Sequence, residues 1–219
     1  MTLTHHANGL HAAQPPAAMP PSRAGVDILP GFDDPVAQAQ TTFRAALKAL
    51  SEPGTVQQAA MPQAWPDAFS PAMSALLLTL ADSDTPVWLP PAVSEQARQY
   101  LRFHCGCPLV ASPVQARFVV VPAGYPAPEL TACDPGDPAY PDRSATLLIE
   151  VEDLQTGSAV RLTGPGILNA RTVAISGVPS GFWPAWQRNH DRFPLGVDVV
   201  FVHAAQFAAL PRTTHAEEI

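Results

Sequence analysis

The densest run of groups able to hold an anion is Arg212-Thr213-Thr214-His215, close to the C-terminus. A guanidinium offers a bidentate fork and the Thr hydroxyls add donors, a combination suited to a phosphate or a carboxylate. Arg44, Arg102 and His104 are further candidates for the same ligand. The alternative use of such a cluster is anchoring, either at a subunit contact or between a helix and a sheet. Asp82 and Asp84 could serve as an acid–base pair or hold a magnesium ion. An Asp-Ser-Asp run ahead of a strand also builds an ordinary turn.

Other constellations fall short of a chemical signature. His104-Cys105-Gly-Cys107, with Cys133 further on, supplies only one knuckle where structural zinc usually takes two, so buried thiols are expected and no metal site is assigned. Gly164-Pro-Gly166 lacks the lysine and spacing of a phosphate loop and reads as a tight turn. GxSxG, GxGxxG and HExxH are absent. Lys48 is the single lysine of the chain, and it falls on the polar side of the first expected helix with Thr41 and Arg44. No catalytic residue is assigned.

These residues must be positioned by helices and strands whose boundaries are marked. Asp34-Pro35 and Ser70-Pro71 each provide a cap followed by proline at the first helical position. The first helix then carries Val36, Ala39, Phe43, Ala46, Leu47 and Leu50 at helical spacing, expected to face the core. The second runs to about Leu80, where Ala81-Asp-Ser-Asp84 turns into a short strand at Thr85–Leu89. A third helix is expected from about Ser94 to His104, stopped by Gly106. Strands are expected at 118–121, 147–151, 160–163, 172–175, 197–202 and 207–210, with a helix over 181–192. Interleaved elements without repeats predict one α/β domain with a mixed sheet flanked by helices over 31–219. Residues 1–30 are rich in Ala, Pro and His and are expected to be a disordered tail; metal binding by His5, His6 and His11 there is a poor prospect.

Composition narrows the partners. Net charge is −7 without a Lys/Arg cluster, which excludes an electrostatic nucleic-acid face. Charged residues are only 14 %, which fits either a surface partly covered by a partner or a genome biased to Ala and Pro. Three cysteines give no disulfide framework, and neither a leader peptide nor a membrane-length apolar run is evident. A cytoplasmic protein is expected.

Leu76–Leu89, LLLTLADSDTPVWL, is the most distinctive string. Around it, in order, stand Asp34-Pro-Val-Ala-Gln-Ala-Gln40, Phe43-Arg44, Ser51-Glu-Pro-Gly54, Leu101-Arg-Phe-His104, Pro108-Leu-Val110, Arg161-Leu-Thr-Gly-Pro-Gly-Ile167, Phe193-Pro-Leu-Gly-Val-Asp198 and Pro211-Arg-Thr-Thr-His215. Together these blocks resemble the PhnH family of the bacterial carbon–phosphorus lyase system, over residues 33 to 219. The Pro/Ala-rich N-terminus and the region 125–143 depart from the family pattern. The resemblance implies a fold similar to the large domain of pyridoxal-phosphate transferases, without that cofactor, since no lysine is placed for a Schiff base. It implies a homodimer working with the G and I components of the carbon–phosphorus lyase system and alongside the J component, helped by the L component. That assembly exchanges the adenine of ATP for methylphosphonate, forming ribose 1-methylphosphonate 5-triphosphate. A structural or accessory role is implied for this chain. The alternative is direct binding of a phosphorylated ligand through Arg44, Arg102 and the Arg212 cluster. Phe182-Trp183-Pro-Ala-Trp186 is a candidate dimer anchor, or simply core.

Overall fold

Helix starts follow the capping residues in the computed structural model, which describes residues 28–219. The Asp34 carboxylate accepts the Ala37 N–H at 3.0 Å and opens α1 (Pro35–Ser51). Ser70 caps α2 (Pro71–Leu80) through the Met73 N–H, and Ser94 caps α3 (Glu95–His104) through the Ala97 N–H. α3 ends before Gly106, whose φ of 64° only glycine adopts readily. The last helix is α4 (Phe182–His190). The expected tail, residues 1–30, lies almost wholly outside the described residues, as do His5, His6 and His11. Leu29, within that span, packs against the core.

Ten strands complete the fold. They are β1 (Val56–Gln58), β2 (Val87–Trp88), β3 (Leu109–Val110), β4 (Phe118–Val121) and β5 (Thr146–Glu150). β6 (Ala159–Thr163), β7 (Arg171–Ala174), β8 (Asp198–His203), β9 (Gln206–Leu210) and β10 (His215–Glu218) follow. Seven form a mixed sheet in the order β1-β9-β8-β5-β4-β2-β3. Its β3, β2, β4, β5 and β8 are parallel, while β9 and β1 close one side antiparallel. The other three make a small antiparallel sheet, β10-β6-β7.

Both faces of the large sheet are covered, so its central strands are apolar on both sides. Val120, Leu148, Val200 and Phe207 face α1, α2 and α3, where Met73, Leu76, Leu77 and Tyr100 meet them. Val119, Leu147, Ile149, Val199 and Phe201 face α4 and the small sheet. The result is an α/β fold in which one mixed sheet forms the central layer.

Three expectations need correction, and one open alternative is decided. The small sheet is additional to the one sheet read from the pattern, and the chain does not finish its strands at Leu210. β10 pairs His215 with Thr163 and Ala216 with Leu162. Phe182 and Trp186 belong to the core, not to a surface anchor: Trp186 is fully buried and its indole N–H donates to the Thr214 carbonyl at 2.9 Å. The largest correction concerns α1. Its inward side is made of Thr42, Ala46 and Ala49, small residues that bring the helix close to α2 and β9. Val36, Phe43, Leu47 and Leu50 are exposed instead, at 81 %, 46 %, 51 % and 38 %.

Burial also sets the thiol chemistry. Cys133 lies in the core and burial pushes its thiol up to about 12. An unfolded thiol titrates near ~8.5. The fold therefore keeps its full stability with respect to this group below about pH 8.5 and loses it as pH rises toward the folded value. Native protein at pH 8 should leave Cys133 unalkylated by iodoacetamide, with labelling only after denaturation. Peptide mass mapping reads the difference, and rapid native labelling of Cys133 would contradict this burial.

Candidate functional site

Ligands of open α/β sheets gather at the carboxyl ends of parallel strands, where successive crossovers diverge. Here that point lies between β2 and β4, because the chain runs outward from β2 to β3 and then returns to β4. A crevice does open there, lined by Asp67, Ser70, Ser94, Tyr125 and Glu150. Its centre is occupied by the protein's own carboxylate. Glu150, the last residue of β5, accepts the Ser70 N–H at 2.5 Å and the Ala123 N–H at 3.0 Å. The Tyr125 hydroxyl donates to the Ala92 carbonyl at 3.3 Å and ties the crevice wall together. Its two serine hydroxyls are the caps of α2 and α3, accepting the Met73 and Ala97 N–H groups.

The residues singled out from the sequence are spread over different elements. Arg212 sits at the opposite, amino end of the parallel strands. Its guanidinium donates to Asp198 at 2.5 and 3.1 Å, to the Pro141 carbonyl at 2.8 Å and to the Ser144 hydroxyl. Its backbone N–H donates to Asp198 as well, at 2.7 Å. Every face of the fork is thereby spent inside the chain, joining the turn after β9 to the starts of β8 and β5. Thr214 is fully buried beneath α4, and Thr213 is half-buried beside it. These positions describe an anchor between helix and sheet.

Arg44 and Lys48 are exposed on α1. Arg102 is exposed on α3 and paired with Glu95 at 2.8 Å. His104 is half-buried, its Nε2 2.8 Å from the Leu29 carbonyl oxygen and its ring 4.6 Å from that of Tyr100. None of these lines the crevice. Asp82 builds the expected turn: its carboxylate accepts the Asp84 N–H and the Thr85 hydroxyl. Gly164 and Gly166 likewise form a turn with positive φ, and a Cβ at Gly166 would stand 2.0 Å from the Ser51 carbonyl oxygen. Among the described residues no three His, Cys, Asp or Glu side chains are grouped to hold a metal. The Cys105 thiol donates to the Leu77 carbonyl at 3.5 Å and the Cys107 thiol to the Leu101 carbonyl at 4.0 Å, and the interaction between the two neighbouring thiols raises the first and lowers the second. No helix among the described residues is long and apolar enough to cross a membrane.

The feature that sequence reasoning misplaced is the outer side of α1. Val36, Gln40, Phe43, Leu47 and Leu50 recur with alternating spacings of four and three, the seam spacing of paired helices. Met61 and Leu168 are also exposed, near the two ends of the helix. An ordered row of large apolar residues left in water marks a protein contact. Its flanks are charged: Asp33 and Asp34 at the amino end, Arg44 and Lys48 toward the other.

Comparison with known proteins agrees with this picture of a component. The family model described as bacterial phosphonate metabolism protein (PhnH) matches residues 30–217. A protein of Rhizobium meliloti strain 1021, named alpha-D-ribose 1-methylphosphonate 5-triphosphate synthase subunit PhnH, is 37 % identical over 187 residues. That match covers 85 % of this chain and 94 % of the relative. A protein of Stutzerimonas stutzeri, named putative C-P lyase subunit protein HtxG, is 33 % identical over 179 residues, covering 80 % of this chain and 84 % of the relative. With a family match running from Pro30 to Glu217, this chain belongs to the PhnH family of bacterial phosphonate metabolism proteins.

Proposed function

We propose that this chain is a structural subunit of a cytoplasmic carbon–phosphorus lyase assembly. It acts with the G, I and L components in forming ribose 1-methylphosphonate 5-triphosphate from ATP and methylphosphonate, and stands alongside the J component in the assembly. The observation that carries this reading is the exposed α1 seam, a surface made for another polypeptide. The names of the two relatives, both subunits, support it. Likeness to the large domain of pyridoxal-phosphate transferases belongs to the same proposal, with no role for that cofactor. Lys48 lies exposed on α1, away from the crevice at the strand ends.

The α1 seam is the surface of a homodimer in this reading. Phe43 is the central residue of α1, so an antiparallel pair about Phe43 places Val36 of one copy opposite Leu50 of the other. In that register Asp34 falls opposite the other copy's Glu52 and Lys48 opposite its Gln38, so the contact rests on the apolar seam and not on charge pairing. Arg44 falls beside the seam and is assigned to the same contact.

Co-expression with a tagged G component and untagged I and J components tests membership. The chain should co-purify at fixed stoichiometry, in two copies per assembly. A stable assembly of the other three that leaves this chain behind would refute the subunit role. A single copy bound through α1 to another component would refute the homodimer while leaving membership intact.

A further inference from the structure

α4 covers the sheet incompletely, and between it and the segment 127–131 lies a cavity of about 540 Å³. That volume is within the range of small-molecule sites, roughly 300–1,000 Å³. Its floor is apolar, formed by Leu147 and Ile149 of β5 with Leu130 and Phe182. Two guanidinium groups stand at its rim, Arg188 and Arg192. They are one helical turn apart, since the Arg192 N–H still bonds the Asn189 carbonyl at 3.2 Å.

Neither guanidinium has an acidic partner among the described residues. The ion pairs found there are Arg102–Glu95, Arg161–Glu217 and Arg212–Asp198. Of the chain's twelve Lys and Arg residues, two without such partners thus share one cavity of a protein with net charge −7. Their platform is rigid. Asn189 between them exchanges two 2.9 Å hydrogen bonds with the Val197 backbone, and Trp186 is fixed to Thr214. On the opposite rim the Glu129 carboxylate is held by the Thr131 hydroxyl at 3.3 Å.

We infer that this cavity binds a nucleoside phosphate. The paired guanidinium groups take the phosphoryl oxygens by charge-assisted hydrogen bonds. The flat body lies against Ala127, Pro179 and Ala185 above that floor, and an amino or hydroxyl group of the ligand donates to Glu129. Inorganic phosphate would satisfy only the arginines, and an uncharged nucleoside only the floor and Glu129. This inference uses a different face from the α1 seam, and its failure would leave the subunit role standing.

Titration calorimetry on the full chain, with AMP, ATP, adenosine and inorganic phosphate as probes, tests it. AMP and ATP should saturate, and adenosine and phosphate should each bind at least about tenfold more weakly than AMP. Arg188→Ala with Arg192→Ala should weaken AMP by at least about tenfold while circular dichroism stays unchanged, because both side chains are exposed. Arg161→Ala, on the small sheet, should leave binding as it is. Ala185→Trp, which fills the cavity from α4, is an independent second variant and should abolish binding. Absence of saturation by either nucleotide at millimolar concentration would overturn the site. So would AMP binding that neither the double variant nor Ala185→Trp reduces, or adenosine binding as tightly as AMP.

Discussion

Leu47→Asp should convert the proposed α1 dimer into a monomer while leaving the folded chain intact. Leu47 is half exposed and lies in the middle of the α1 seam, so the substitution removes nothing from the monomer's core. In a two-fold contact each change is made twice. Burying a whole leucine side chain is worth roughly 1.5–3 kcal/mol, and about half of Leu47 is left for a partner to cover. Losing two, and burying two carboxylates in their place, weakens association by at least about 3 kcal/mol, which is more than about a hundredfold. Phe43→Asp acts at the centre of the same seam and has the same sign. Sedimentation of wild type and variant at equal concentration reads the effect. A variant that stays dimeric with α1 folded would move the interface elsewhere.

Arg212→Ala lowers stability by about 3 kcal/mol, at the lower end of what breaking a buried ion pair costs. The side chains of Arg212 and Asp198 are 12 % and 19 % exposed, so little water replaces the missing guanidinium. The loss is shared between a stranded Asp198 carboxylate and the freed acceptors at Pro141 and Ser144. For a chain of this size the midpoint of thermal unfolding should fall by roughly 6–12 °C. Arg212→Lys should recover only part of it, because an ammonium group cannot fork across three acceptors in one plane. A melting curve unchanged by Arg212→Ala would show that the anchor contributes nothing. The same variant separates anchoring from ligand contact, since an exposed ligand-binding arginine would leave the unfolding midpoint in place.

The capping residues Asp34, Ser70 and Ser94 made the helix starts legible, because a cap is a local arrangement decided within four residues. The central strands were legible for a related reason: β-branched and apolar runs bounded by Gly, Pro and Asp have few alternatives. α1 shows where local pattern stops. Two sets of residues on it recur at helical spacing, the large set Val36, Phe43, Leu47 and Leu50 and the small set Thr42, Ala46 and Ala49. Periodicity identifies a stripe and cannot say whether the partner is the chain's own sheet or another protein. Here the small set wins the interior because it permits close approach to α2 and β9. β10 was illegible because His215-Ala-Glu-Glu218 buries only Ala216 and gains its ladder from β6, more than fifty positions earlier. The sequence left Arg212 open between holding a ligand and anchoring the fold, because its partners Asp198 and Ser144 are 14 and 68 positions away. Arg188 and Arg192 passed unnoticed in the sequence. Their four-residue spacing was visible, but the cavity beside them exists only once α4 docks against β5.

Adenine release from ATP plus methylphosphonate, in the presence of the G, I and L components with and without this chain, tests the central claim most directly. The account predicts release only when the chain is present. It also predicts that the chain incubated alone with ATP and methylphosphonate releases none. Equal release by the other components in its absence would contradict a place for this protein in forming ribose 1-methylphosphonate 5-triphosphate.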